Sequence, residues 1–257
     1  MPGAERVLAG LAGAQLEIVD LTVPLTGSTP IIQLPPPFAN TKGLDLEEVS
    51  HYDERGPAWY WNNISIGEHA GTHFDAPAHW ITGRDRATVD RVPVDQLVAP
   101  AVLIDRTAEV EDDPDFLLEI DDVKVWEEEH GGLPEGGWLL FRTGWERRAN
   151  DANSFLNVDE SGSHTPGVSV ACARWLAEES PIIGLGVETV GTDAGLAAQF
   201  ETPFPCHTFM HGAGKLGLTS LVNLRRLPET GILLIAAPLP IVGGSGSPAR
   251  ALALIAG

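Results

Sequence analysis

His69, His73, Asp75 and His79 crowd into the single stretch EHAGTHFDAPAHW, residues 68–80, of a chain that holds only eight histidines in 257 residues. Imidazole and carboxylate side chains serve a divalent metal when they converge about 2 Å from one point. Without thiolates, such a set points to catalytic Zn, Mn or Fe rather than to a structural Cys-rich zinc site. Three protein ligands, His69, His73 and Asp75, leave coordination positions open for water and substrate. His79 lies four residues beyond Asp75, past Pro77. With an ordinary pKa near neutrality it suits proton transfer during attack by water, or else it is a structural histidine that orients a ligand. One lone histidine would read as a surface or hydrogen-bonded core residue, and the crowding argues against that here.

The elements that must position these groups are legible in outline. Gly71 and Pro77 disfavour a helix, so the cluster is expected where a strand end passes into a turn. Upstream, alternation puts Trp59, Trp61, Asn63, Ser65, Gly67 and His69 on one face of a strand. Four short apolar runs read as buried strands: residues 101–107, 137–143, 181–189 and 231–239. Helical spacing of Val168, Cys172 and Trp175 precedes the third run, and DVKVWEEEH (122–130) precedes the second. The class is therefore α/β, with a central sheet flanked by helices in a single domain spanning residues 1–257. QLPPPFANT (33–41) and EVEDDPD (109–115) are too short for interdomain linkers and are expected to be surface loops.

Composition limits the partners. A formal charge of −20 disfavours nucleic acid and anionic membrane, which need basic patches, and leaves a small neutral molecule as the better substrate. The 28 Gly and 20 Pro suit a globular chain with many turns. Cys172 and Cys206 could pair only once, in a chain long enough to need no such staple, which favours the reducing cytoplasm. The N-terminal stretch Met1 to Glu17 is too short and too interrupted to span a membrane, and it shows no export signal.

HAGTHFDAPAH resembles the H-x-G-T-H-x-D-x-P-x-H signature of the metal-dependent cyclase family, which includes bacterial kynurenine formamidases and isatin hydrolases. The likeness continues through GVETVGTD (186–193) and PCHTFMHGAGKLGLTSLVNLRRLP (205–228). It implies a swivelling β/β/α fold, a homodimer or larger oligomer, and metal-dependent hydrolysis of amide bonds in small cyclic or formylated aromatics. In the formamidases, a histidine matching His207 and a glutamate twelve residues on help to hold a second zinc; here that glutamate is replaced by Thr219. A hydroxyl balances a second dication poorly, which argues against two metals. Thr219 followed by Ser220 is more similar to the isatin hydrolases, associated with one Mn²⁺ and with a serine and a histidine lining a water path. The resemblance thus implies opening of the isatin lactam to isatinate on one divalent ion, with Mn²⁺ favoured over Zn²⁺. His79, His207 and Ser220 would move protons. A formamidase with the same metal centre is the alternative activity, and a non-catalytic metal-binding scaffold is the alternative class.

A flat bicyclic substrate calls for aromatic walls, for which Trp61 and Trp80 are candidates, with Phe38 as a lid across a dimer interface. His207 and His211 have helical spacing, but Gly212, Gly214 and Gly217 argue against a helix there, so His211 is expected to be structural. Asp193 is expected in a turn or supporting the site. GGSGSP (243–248) lacks the lysine of a phosphate loop, and a Cys206–His207 nucleophile is a weaker choice than the metal cluster.

Overall fold

The computed structural model describes residues 3–13, 15–34 and 36–257; Met1, Pro2, Ala14 and Pro35 lie outside the described residues, so the N-terminal stretch and the Pro-rich loop are described without them. The four apolar runs form strands β5 (Val98–Asp105), β7 (Trp138–Arg142), β9 (Gly184–Val187) and β11 (Ile232–Pro238). With β1 (Leu16–Asp20), β4 (His73–Asp75), β10 (Leu216–Thr219) and β12 (Gly246–Ala256) they make an eight-stranded sheet, ordered β1-β12-β11-β5-β7-β9-β10-β4. The long β12 also pairs with β4, which closes the sheet into a barrel. Neighbours β5, β7, β9 and β10 run parallel, so their carboxyl ends line one rim. Two strands, β2 (Asp45–His51) and β3 (Tyr60–Ser65), form a separate antiparallel hairpin, and β6 (Leu117–Leu118) pairs with β8 (Gly167–Val168).

Helices precede the second and third apolar runs as expected, although Val168, included in the helical spacing, lies in β8 and the helix starts at Val170. Helix α3 (Ile120–His130) ends at Gly131 in the left-handed conformation, the usual role of glycine at a helix C-terminus. Helix α5 (Val170–Glu178) is capped by Ser169, whose side chain accepts from the Cys172 N–H, and it buries Cys172, Ala173, Leu176 and Ala177. The remaining helices are α1 (Gly3–Ala12), α2 (Thr107–Asp112) and α4 (Ala152–Leu156). Here α2 corrects the loop expectation over 109–112: Thr107 donates from both its N–H and its hydroxyl to the Asp105 carboxylate, which starts a short helix that buries Val110 and leaves 113–115 outside it. Among the described residues, no helix is long and apolar enough to cross a membrane.

One apolar cluster, around Phe74, Trp138, Leu140 and Leu218, fills the barrel, and a second packs α3 and α5 on the outside through Val123, Trp126 and Leu176. In β4, wholly buried, Phe74 turns into the first cluster, 6.0 Å from the Trp138 ring. The two-residue period then forces His73 and Asp75 onto the opposite face. Burial of Phe74 contributes about 1.5–3 kcal/mol, and that apolar anchor fixes the register of the site.

Candidate metal centre and active site

Strand β4 lies between two partners. Gly217 of β10 and Gly246 of β12 both oppose Asp75, while Thr219 and Pro248 oppose His73. A methyl group on Gly217 would stand 2.8 Å from Asp75 Oδ2, and one on Gly246 would stand 2.6 Å from the His69 ring. The two glycines therefore make room for the carboxylate and the imidazole to meet.

Ring nitrogens of two histidines approach the same carboxylate oxygen. His69 Nδ1 is 2.7 Å from Asp75 Oδ1, and His73 Nε2 is 3.4 Å from it. His73 Nδ1 bonds the Gly71 carbonyl at 2.8 Å, and the Thr219 hydroxyl lies 2.9 and 3.1 Å from the two nitrogens of its ring. On its far side, His69 Nε2 meets the Ser245 hydroxyl at 2.8 Å, which in turn donates to Glu68 at 2.6 Å. His79 stacks on His69 with centroids 3.9 Å apart.

A single turn of π-helix, Cys206–His211, delivers two further imidazoles. Their rings are 5.3 Å apart and 5.4 and 6.0 Å from that of His79. Asp193 accepts from the N–H groups of Cys206 and His207 and holds His207 Nδ1 at 2.5 Å, which leaves Nε2 for chemistry. His211 bonds the Lys215 carbonyl through Nδ1, and its buried Nε2 has no partner among the described residues.

Electrostatics match these roles. Burial drives His73 and His79 down, His79 to about 3, and together with His207 it drives His211 to about 4, so these imidazoles are neutral at pH 7. Burial would lower His207 too, but the Asp193 carboxylate outweighs it and raises that imidazole. Burial would raise Asp75, but His73, His69 and His79 hold it well below the usual carboxylate range. An ionised carboxylate among neutral imidazoles is the donor set that a divalent cation takes. Two groups bring their donor atoms within 4.8 Å of one another, His69–Asp75–His79 and Asp75–His207–His211, and they share Asp75. The unpartnered His211 Nε2 and the glycine-made space beside Asp75 fit a cation as well.

The Cyclase family model matches residues 19–194. The chain belongs to the cyclase family. Over 98% of both chains it is 47% identical to the isatin hydrolase of Roseibium aggregatum. A crystal structure described as an isatin hydrolase bound to the product analogue thioisatinate superposes with a TM-score of 0.96, at 46% identity and 100% coverage of each chain. The kynurenine formamidase of Salinibacter ruber is 29% identical over 192 residues, 74% of this chain and 77% of its own.

In this cyclase, His69, His73, Asp75, His79 and His207 come together. Trp80 joins them, its ring 4.7 Å from His207 and 5.5 Å from Phe204. Ser220 follows Thr219 at the end of β10 and lines a separate small cavity, and its buried hydroxyl has no partner among the described residues. Phe38 and Trp61 stand apart, 63% and 56% exposed, on the Pro-rich loop and on the hairpin. The strand expected to carry His69 stops at Ser65, so His69 enters from a loop rather than from the Trp61 face. His211 is a correction: the glycines that argued against a helix end the π-turn at Gly212 rather than prevent it, and the ring joins the cluster. Asp193, left open between a turn and a supporting role, orients His207. Ser245 and Glu68 gave no sequence signal, because strand closure 176 residues further along the chain brings Ser245 to His69.

Proposed function

We propose that this chain hydrolyses the lactam of isatin to isatinate at a centre in which His69, His73 and Asp75 hold one divalent cation, Mn²⁺ in preference to Zn²⁺. The observation that carries this reading is the near end-to-end likeness, at 46–47% identity, to proteins described as isatin hydrolases; the imidazoles gathered around Asp75 support it. When bound, such a cation supplies Lewis acidity toward a carbonyl oxygen and lowers the pKa of water.

The protein's own groups do the rest. Trp80 and Phe204 offer flat apolar surface beside His207, against which a bicyclic ring can lie. His207 donates Nδ1–H to Asp193, so its Nε2 takes a proton from the attacking water and returns it to the ring nitrogen as the C–N bond breaks. His79, neutral and stacked on His69, hydrogen-bonds the reacting carbonyl or the leaving nitrogen and shares that proton transfer. Water adds one C–O bond; one of its protons ends on the aniline nitrogen and the second leaves as the carboxylate forms.

Phe38 and Trp61, exposed in one protomer, close over the substrate in a homodimer, and the enzyme works in the cytoplasm. Loss of isatin's yellow absorbance, measured beside hydrolysis of N-formylkynurenine on the same metal-loaded protein, tests the function. Isatin turnover well above that of the formamide is expected, and the reverse order would make the chain a formamidase.

A further inference from the structure

His69 presents Nδ1 to Asp75 Oδ1 at 2.7 Å and Nε2 to Ser245 Oγ at 2.8 Å. Which nitrogen carries the proton decides what the ring can do, and the hydrogen bonds of Ser245 settle it. A hydroxyl has one proton. Ser245 Oγ donates it to Glu68 Oε2 at 2.6 Å, and an ionised carboxylate can only accept. The serine oxygen therefore faces His69 as an acceptor, and Nε2 supplies the N–H between them. In the neutral ring Nδ1 is then a bare lone pair, 2.7 Å from a carboxylate oxygen. Two acceptors at that distance repel unless a positive charge lies between them, and a divalent cation is one that binds both. His73 agrees from the other side: its Nδ1 bonds the Gly71 carbonyl, and its Nε2 is left 3.4 Å from the same Asp75 Oδ1.

The loop that carries Ser245 is built for this contact. It is GGSGSP (243–248), set aside above as a phosphate loop, and it enters β12 at Gly246. A methyl group on Gly244 would stand 2.8 Å from Glu68 Oε1, as one on Gly246 would crowd the His69 ring. The glycines on either side of Ser245 thus clear space for its two partners. The Ser245 carbonyl accepts from the Ala76 N–H at 3.0 Å, one residue past Asp75, and the Gly244 carbonyl accepts from the Val89 N–H at 2.9 Å. The Ser245 N–H also points to Glu68 Oε2, at 3.2 Å, so one carboxylate oxygen takes both donors of the serine. Glu68 adjoins His69 in the chain, yet it reaches Nε2 through Ser245.

We propose that Glu68 and Ser245 are positioning residues that hold His69 as its Nε2–H tautomer, so that Nδ1 is the atom it offers to the divalent cation beside Asp75. The inference deepens the metal-centre reading above and rests on it. Neither residue touches substrate, and both act through His69. Glu68 sets the sense of the Ser245 hydroxyl. Without that carboxylate the hydroxyl is free to turn and donate to Nε2, which leaves the ring proton on Nδ1, bonded to Asp75 and competing with the cation. Without Ser245, nothing holds the proton on Nε2 and the same competition follows. Loss of either residue weakens metal binding by one route.

The test reads the cation and the ring rather than turnover. Binding of Mn²⁺ alone is titrated, from the spin-resonance signal of the free ion, in wild type, Ser245→Ala, Ser245→Thr, Glu68→Ala and the double alanine variant. Kd is expected to rise roughly 10–100-fold in Ser245→Ala and in Glu68→Ala, and no further in the double variant, because both break one chain. Ser245→Thr keeps the hydroxyl and should bind close to wild type. The second readout, which a merely structural serine would not move, is the tautomer. With isotope-labelled histidine and Zn²⁺ bound, nitrogen shifts should show His69 ligated through Nδ1 and protonated at Nε2. Ligation through Nε2, or a wild-type Kd in either alanine variant, overturns the proposal while the metal centre stands. Should Ser245→Ala not fold, Glu68→Ala decides alone. Wild type that binds no Mn²⁺ overturns the metal-centre reading and the proposal with it.

Discussion

At the scale of residues, Asp75 is the pivot, because imidazoles from two stretches of the chain, 69–79 and 207–211, gather around its buried carboxylate. His73 is more enclosed than His69, the other proposed imidazole ligand, so His73→Ala should abolish both bound metal and turnover; metal retained at full stoichiometry, by elemental analysis, would refute the ligand assignment. Asp193 governs a different property. Asp193→Asn places an amide N–H against His207 Nδ1, which favours the wrong tautomer. We expect kcat to fall roughly 10²-fold with metal content intact, and an unchanged kcat would remove His207 from proton transfer. The clustered residues His69, His73, Asp75, His79 and His207 were legible in the sequence because they are crowded locally or carried by a motif. Their supports were legible only in part: Asp193 was open between a turn and a supporting role, whereas Ser245 and Glu68 are ordinary polar residues until the fold brings Ser245 to a ring nitrogen and to Glu68.

Elements decide how tightly those groups are held. Strand β4 is three residues long, too short to announce itself by periodicity, and it is positioned by β10 on one edge and β12 on the other. Gly217 is the weak point of that arrangement. Gly217→Ala sets a methyl against Asp75 Oδ2, which should cost about 1–3 kcal/mol of stability and weaken metal binding more than it perturbs the fold; calorimetry with and without metal measures both effects. A metal affinity equal to wild type would show that Asp75 can move aside. The apolar runs of β5, β7, β9 and β11 could be read directly because buried parallel strands are continuous hydrophobic stretches. The π-turn at Cys206–His211 could not, since glycine was weighed as a helix breaker when it acts as a terminator.

For the whole molecule, closure of the sheet through β12 and β4 brings residues from near both ends of the chain to one centre. The α/β class and the sheet flanked by helices were foreseeable from alternating patterns; the closure was not, because no local pattern records a pairing between distant strands. The hairpin of β2 and β3 leaves Leu46, Tyr52, Trp59, Tyr60, Trp61 and Ile64 at the surface. These exposed side chains, on both faces of the hairpin, are what the proposed homodimer would cover. Sedimentation should therefore give twice the 27.4 kDa of one chain, and Trp61→Ser should shift the protein toward monomer and raise KM; a wild-type monomer with full activity would contradict the shared lid.

The most direct measurement is isatin turnover by protein stripped of metal and then given Mn²⁺ or Zn²⁺ separately. We expect no turnover when stripped, recovery with one ion per chain, stronger recovery with Mn²⁺, and little hydrolysis of N-formylkynurenine in either state. Full isatin turnover in the stripped protein, or recovery of formamide hydrolysis alone and only at two ions per chain, would contradict the single-metal account built on Asp75.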